Sequence, residues 1–154
     1  TAAAEARSSG MGAEQAEAFG GRERGETVPQ PGLVFAAASK VWRVWAVKGQ
    51  NRPTPQTPLF QAPYFNVDGK SRICQGNVPV PNGTTVEKIS AWNDAFLSSY
   101  FTHPNVAGKL LRYRGGAYAF WRDMLDGRFT RFPERVLVDA KTTLGQLLGE
   151  PEAT

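Results

Sequence analysis

From Leu33 onward the chain alternates short apolar bursts with polar or Pro/Gly-rich breaks, and the spacing inside each burst predicts an element. Leu33-Val34-Phe35 and Val41-Trp42-Arg43-Val44-Trp45-Ala46-Val47 are rich in β-branched and aromatic residues, which suits two adjacent antiparallel strands. In the second, Trp42, Val44 and Ala46 alternate with Val41, Arg43, Trp45 and Val47. Both faces carry apolar groups, so this strand is expected to be covered on each side. The break between the two, Ala36 to Ser39, has no Asn-Gly or Gly-Gly pair to define a turn. Pro53, Pro55 and Pro58 then make a loop, because each removes a ladder donor. Leu59-Phe60-Gln61-Ala62 reads as a third, short strand. Pro63 to Gly83 contains six Gly or Pro residues and no sustained period. That predicts an irregular loop of about twenty residues, a length that compact domains usually keep for function.

Beyond the loop the period changes. Val86, Ile89, Trp92, Phe96 and Tyr100 recur every three or four residues, one face of a helix, with Thr84 and Glu87 spaced as a capping box and Thr102-His103-Pro104 as the stop. Ala117 to Leu125 reads as a second helix with Phe120, Trp121 and Leu125 for burial. Val136-Leu137-Val138 is a short apolar run, and Thr143 to Leu148 a last helix. Strands come first and helices last, which is an α+β layout: a small antiparallel sheet with helices packed on one side.

Residues 1 to 31 behave differently. They are rich in Ala, Gly, Glu and Ser, hold one aromatic, Phe19, and end in Pro29-Gln30-Pro31-Gly32. Such a segment has little to bury and is read as a flexible tail, with at most a turn or two of helix over Glu14 to Phe19. Residues 32–150 are then a single domain, in keeping with 154 residues and 41% apolar composition. The net charge is +4; residues 1 to 26 carry three Arg and five Glu, leaving +6 on the remainder. The Lys and Arg residues are scattered rather than gathered in a stripe, so a solvated basic surface is favoured over nucleic-acid binding. No apolar run reaches the length of a membrane span, and the Ala-rich start lacks the order of a signal peptide. A cytoplasmic location is expected, with no membrane partner.

The only cysteine, Cys74, lies in the long loop. It can form no internal disulfide and belongs to no Cys/His cluster, so neither a zinc site nor any other metal or cofactor is expected. A lone cysteine is commonly a small buried hydrophobe, and Ile73 before it fits that role. Its loop position, beside the cations Lys70 and Arg72, fits a nucleophile instead. The residues alone leave this even. A Cys-His pair would have to use His103, the only histidine, with no third residue to orient it. His103-Pro104-Asn105 reads better as a helix-ending turn.

The loop Tyr64-Phe65-Asn66-Val67-Asp68-Gly69-Lys70-Ser71-Arg72-Ile73-Cys74-Gln75-Gly76-Asn77 resembles the active-site loop of ubiquitin-conjugating enzymes. In those proteins an asparagine, the last residue of a His-Pro-Asn tripeptide, lies eight residues before the catalytic cysteine, as Asn66 does before Cys74. A proline-rich approach precedes the loop and a Trp-bearing helix follows. More narrowly, Ala62-Pro63-Tyr64-Phe65-Asn66-Val67, Cys74-Gln75-Gly76-Asn77, the Trp92 to Asn105 segment and Trp121-Arg122 with Leu125 resemble the PRTRC system protein B family, also described as prokaryotic family D of ubiquitin-conjugating-like proteins. The resemblance runs from about Pro31 to about Leu148.

That resemblance implies a conjugating enzyme that receives the C-terminus of a ubiquitin-like protein from a ThiF-like activating enzyme, holds it as a thioester on Cys74, and passes it to an amine. It implies Asn66 as oxyanion donor or loop support, and a JAB-type peptidase of the same cassette as a further partner. No strong base is needed, since a thiolate is both nucleophile and leaving group. This chain departs from the wider pattern in two places: Tyr64-Phe65 stand where His-Pro is usual, and residues 1 to 31 show no evident first helix or strand. Both departures motivate a rival reading, an inactive adaptor that binds a ubiquitin-like protein or its activating enzyme. The +6 charge motivates a third, a DNA-associated factor. Asp68, Ser71 and Asn77 are read first as turn residues, and only second as groups that tune an incoming amine.

Overall fold

The computed structural model describes residues 3–6, 24–38, 41–76, 78–98, 106 and 109–149. Its centre is a four-stranded antiparallel sheet of β3 (Gly32–Ala38), β4 (Val41–Val47), β5 (Pro58–Gln61) and β6 (Asp139–Thr143), in that order. Ahead of it β1 (Ala3–Ala6) and β2 (Arg24–Thr27) pair antiparallel, with Ala3 opposite Thr27. Order therefore begins before residue 32, and Val28 is already in the core. The helical turns proposed for Glu14 to Phe19 lie outside the described residues.

β3 and β4 run in register from Gly32 opposite Val47 to Ala38 opposite Val41, so the Ala-rich stretch that looked like a break is strand. Alanine has weak strand preference, but opposite Trp42 and Arg43 the small side chains are carried along by the pairing. The two-faced β4 is borne out. Trp42, Val44 and Ala46 point into the main core, whereas Trp45 and Val47 join Leu59 beneath the other face.

The main face is covered by α1 (Ile89–Leu97) and α2 (Gly116–Leu125), which supply Ala95, Phe96, Phe120, Trp121, Met124 and Leu125 to the core. Among the described residues the second face is packed by Leu144 and Leu147 of the short α3 (Leu144–Leu148), together with Ala140 of β6. Thr143 caps that helix in a full capping box with Gln146. Gly145 is needed there because a Cβ would meet the Pro55 carbonyl oxygen at 2.9 Å, on the proline loop that α3 lies against.

Three details differ from the sequence expectation. β6 follows the helices and joins the open edge of β5; with Ala140 as its only apolar residue, Asp-Ala-Lys-Thr-Thr gives no alternation to read. The capping box at Thr84 is absent. The chain enters α1 through a 3-10 turn, Val86–Lys88, with Thr85 at the cap, and the Glu87 carboxylate takes a hydrogen bond from the Thr85 hydroxyl that holds it below its ordinary value. The apolar stripe of α1 is buried only at its end: Phe96 is inside and Trp92 half-buried, but Ile89 and Val86 are exposed. Tyr100 and the stop at residues 102–104 lie outside the described residues.

Candidate functional site

β4 and β5 pair at only two positions, Trp45 with Gln61 and Ala46 with Phe60, after which β5 turns away. The vacated edge of β4 is taken by residues 71–73 of the long loop. Val44 N–H donates to the Ser71 carbonyl at 3.0 Å, and Ile73 N–H donates to the Trp42 carbonyl at 2.9 Å. Arg72 bridges Arg43, and Ile73 bridges Val67 on its other side. The segment thus becomes a short strand substitute, and its side chains alternate: Ser71 and Ile73 are buried, Arg72 and Cys74 exposed. This alternation separates the two neighbours. Ile73 is the core filler; the Cys74 thiol faces out.

Asn66 and Cys74 are brought together by main chain. The Cys74 N–H donates to the Asn66 carbonyl at 2.7 Å, closing the loop at its neck. Asn66 is itself buried, 4% exposed. Between them the turn is closed by Asp68, whose Oδ1 accepts the N–H groups of Lys70 and Arg72 at 2.8 and 2.9 Å, and whose Oδ2 accepts Arg72 Nε at 2.7 Å. Partial burial pushes the Asp68 carboxyl up, but these donors and the guanidinium charge outweigh it and hold it below its ordinary value. Asp68 is fully occupied as a turn residue. Ser71 adopts φ 61 and its N–H donates to the Asp68 carbonyl, so it too belongs to the turn. Asn77 and His103-Pro104-Asn105 lie outside the described residues.

What stands in for His-Pro is visible. Tyr64 and Phe65 are both 1% exposed. The Tyr64 ring stacks on Trp121 at 5.6 Å between centroids and meets Phe96 edge-on at 5.1 Å, while its hydroxyl donates to Gln30 Oε1 at 2.6 Å. Burial pushes the Tyr64 phenol upward, so it stays neutral. Phe65 packs on Tyr118 at 4.7 Å, and Trp121 Nε1 donates to the Pro63 carbonyl at 2.8 Å. The loop is therefore braced by aromatic side chains of α1 and α2 rather than by an imidazole. Sequence reasoning missed Gln30 and Tyr118 as braces; the one available signal was two aromatics entering a loop opposite a helix rich in aromatics.

Downstream the chain is less embedded. The Gln75 side chain donates to the Val78 carbonyl at 2.9 Å and the Val78 N–H returns to the Gln75 carbonyl at 3.2 Å, a local clasp. Trp92 Nε1 donates to the Gly83 carbonyl at 3.1 Å and ties the far end of the segment to α1. Among the described residues no group of His, Cys, Asp and Glu could hold a metal ion, and no helix is long and apolar enough to cross a membrane.

The fold and site define a class: a small α+β domain presenting a single surface cysteine at the neck of a loop braced from the sheet and both major helices. The chain belongs to prokaryotic E2 family D, whose model matches residues 13–140, and this places it in an E2-like group related to ubiquitin-like conjugation. No curated protein and no solved structure matches it.

Proposed function

We propose that the protein is a conjugating enzyme that carries a ubiquitin-like protein as a thioester on Cys74 and delivers it to an amine. One observation carries this reading: within an E2-family chain, the only cysteine is exposed and its N–H is locked to Asn66, the residue eight positions upstream. In the first step Cys74 Sγ, as thiolate, attacks the thioester carbonyl presented by a ThiF-like activating enzyme. The new C–S bond forms, the old one breaks, and the enzyme's thiolate leaves. In the second, an amine nitrogen attacks the same carbon, a C–N bond forms, Cys74 Sγ departs as thiolate, and the ammonium proton passes to solvent.

Asn66 acts in this reading as a positioning residue. Its carbonyl fixes the Cys74 main chain, and its burial favours loop support over direct contact with an oxyanion formed at the surface thiol. The cassette reading, with the chain as the B component of a PRTRC system alongside a JAB-type peptidase, rests on sequence resemblance.

The test is a charging assay with a ThiF-like activating enzyme, a ubiquitin-like protein and ATP, resolved on non-reducing gels. A dithiothreitol-sensitive adduct, lost in Cys74→Ala, is expected. Partner binding by the wild type with no such adduct would replace the enzyme with the adaptor.

A further inference from the structure

On the outer side of the segment that leads to Cys74, two arginines face each other across neighbouring strands. Val44 N–H donates to the Ser71 carbonyl and Ile73 N–H to the Trp42 carbonyl, so the bridged residues between these bonds, Arg43 and Arg72, are a non-hydrogen-bonded antiparallel pair. That is the closest approach a sheet offers, with Cα atoms about 4.5 Å apart and both side chains on the same face. Like charges placed so repel one another. Among the described residues one carboxylate attends them: Asp68 Oδ2 accepts Arg72 Nε at 2.7 Å, and the Arg72 side chain is still 55% exposed. Arg43 is half-buried, and its Nε is buried with no hydrogen-bond partner. A guanidinium drawn out of water without an acceptor is costly. An oxyanion lying across the pair relieves both the repulsion and the missing acceptor, because guanidinium groups take carboxylate oxygens in a fork.

The pair lies beside the thiol. Cys74 is two residues beyond Arg72 and exposed like it, which makes Arg43 its diagonal neighbour at about 7–8 Å. On the other flank, Lys70 and Lys109 line a hollow over Trp45 together with Asp139, whose carboxylate is already held by Lys141. Trp45 shares a face with Arg43, two residues before it, so these cations extend the same basic surface. A lone ammonium approaching Cys74 from this side is repelled. An amine that arrives with a carboxylate next to it is not.

We propose that Arg43 and Arg72 form an oxyanion site beside Cys74 whose occupant is a side-chain carboxylate of the amine acceptor, so that the protein selects amines with an acidic residue next to them. The choice of occupant rests on the acyl-transfer reading above. The oxyanion site does not, and it is tested separately.

The first arm uses the full chain and two alkylating reagents, iodoacetate, an anion, and iodoacetamide, its neutral counterpart. Both attack the same thiolate, so the ratio of their rates cancels its ionisation, and the ratio on N-acetylcysteine amide supplies the reference. At low salt the ratio on Cys74 is expected to exceed the reference by about fivefold. It should fall towards the reference between about 10 mM and 1 M salt. Arg43→Gln and Arg72→Gln, each of which relieves a like-charge contact at a partly exposed position, should each lower it. Arg114→Gln, at the start of α2 on the opposite face of the sheet, removes the same charge and should leave it unchanged. In the second arm Cys74 is acylated by the N-acetylcysteamine thioester of acetylglycine, the neutral thiolate carrier leaving as the Cys74 thioester forms. Acetylated lysine peptides with glutamate or glutamine beside the lysine are then added. The amine attacks the carbonyl carbon, a C–N bond forms, Cys74 leaves as thiolate and the proton passes to solvent. Glutamate peptides are expected to react about fivefold faster than glutamine peptides, and the preference should vanish in Arg43→Gln.

An alkylation ratio no higher than the reference, or one that both glutamine variants leave intact, overturns the site. A raised ratio that the variants abolish, with glutamate and glutamine peptides reacting alike, overturns the acceptor as its occupant. Aminolysis on Cys74 no faster than on acylated N-acetylcysteine amide, for every peptide, overturns the acyl-transfer reading and the occupant with it, and the alkylation ratio still decides the oxyanion site.

Discussion

The two arms of the loop that meet at Cys74 are built in opposite ways. Upstream, residues 62–67 are buried without exception, and residues 71–73 occupy a vacant edge of β4. Downstream, Gln75 and Gly76 are exposed, Val78 and Val80 only half-buried, and the hydrogen bonds among the described residues include the Gln75–Val78 clasp and the Trp92 tie to Gly83. The upstream arm spends its burial on placing one main-chain atom, the Cys74 nitrogen. The downstream arm leaves Cys74 exposed. The proposed thioester role needs both, because a thiol must be accessible to a large donor yet held well enough to attack a carbonyl from a fixed direction.

The comparison predicts a steep gradient of mutational cost across Cys74. Its largest step should be Trp121→Ala. That change removes a buried ring stacked on Tyr64 and the donor to the Pro63 carbonyl, and is expected to cost about 3–5 kcal/mol by urea denaturation. A loss below about 1 kcal/mol would show that the upstream arm is not held from α2 at all.

Next comes the helix that carries the brace. Asp123, with a side chain 7% exposed, accepts the Tyr113 hydroxyl at 2.6 Å and Arg128 Nη1 at 2.8 Å on one oxygen. The Tyr113 bond first, then the Arg128 and Arg122 charges, hold its carboxyl below the ordinary value against the opposing effect of burial. A carboxyl depressed on folding stabilises the protein fully above its unfolded value, near 3.9, and that contribution is lost as pH falls through the folded value. Asp68 and Asp139 act in the same sense. Melting temperature should therefore drop on acidification below about pH 4. The gap between wild type and Asp123→Asn should close over the same range. A gap independent of pH would remove charge from the account of this cluster.

A smaller effect is expected at the front of the loop. Tyr64→Phe keeps the stacked ring and deletes only the hydroxyl on Gln30, costing about 1 kcal/mol. Alkylation of Cys74 by iodoacetamide should hardly change, because the ring, not the hydroxyl, positions the arm. A large gain in alkylation rate would shift the bracing role from aromatic packing to this single hydrogen bond.

How much of this could be read from the residues depends on which force decides each feature. The two-faced alternation of β4, the burial of Phe120, Trp121 and Leu125, and the irregular loop around Cys74 are local patterns, and they survive intact in the structure. β6 was illegible because an edge strand with a residue, Lys141, at φ 58 needs neither alternation nor β-branching to pair. The seating of residues 71–73 on β4 was illegible for another reason: it depends on where β5 turns away, which is a tertiary event. Asn66 and Cys74 were named from a spacing, but the bond joining them is main chain to main chain and leaves no mark on residue type.

The smallest effect on stability should fall on the downstream arm, and it sharpens the comparison most. Gln75→Ala breaks the clasp to Val78, but the side chain is exposed, and water replaces the lost partner. The change should stay within about 0.5 kcal/mol, with a melting temperature shifted by no more than about 2 °C. What should move is order within the arm: amide exchange at Val78 and Val80 should quicken, because the opened segment has few buried contacts to reclose it. Exchange at Ile73, bonded to the Trp42 carbonyl inside the sheet, should not change. If Ile73 exchange quickened as well, the two arms would open as one unit, and Cys74 would sit within a single mobile loop rather than at the boundary between a fixed arm and a free one.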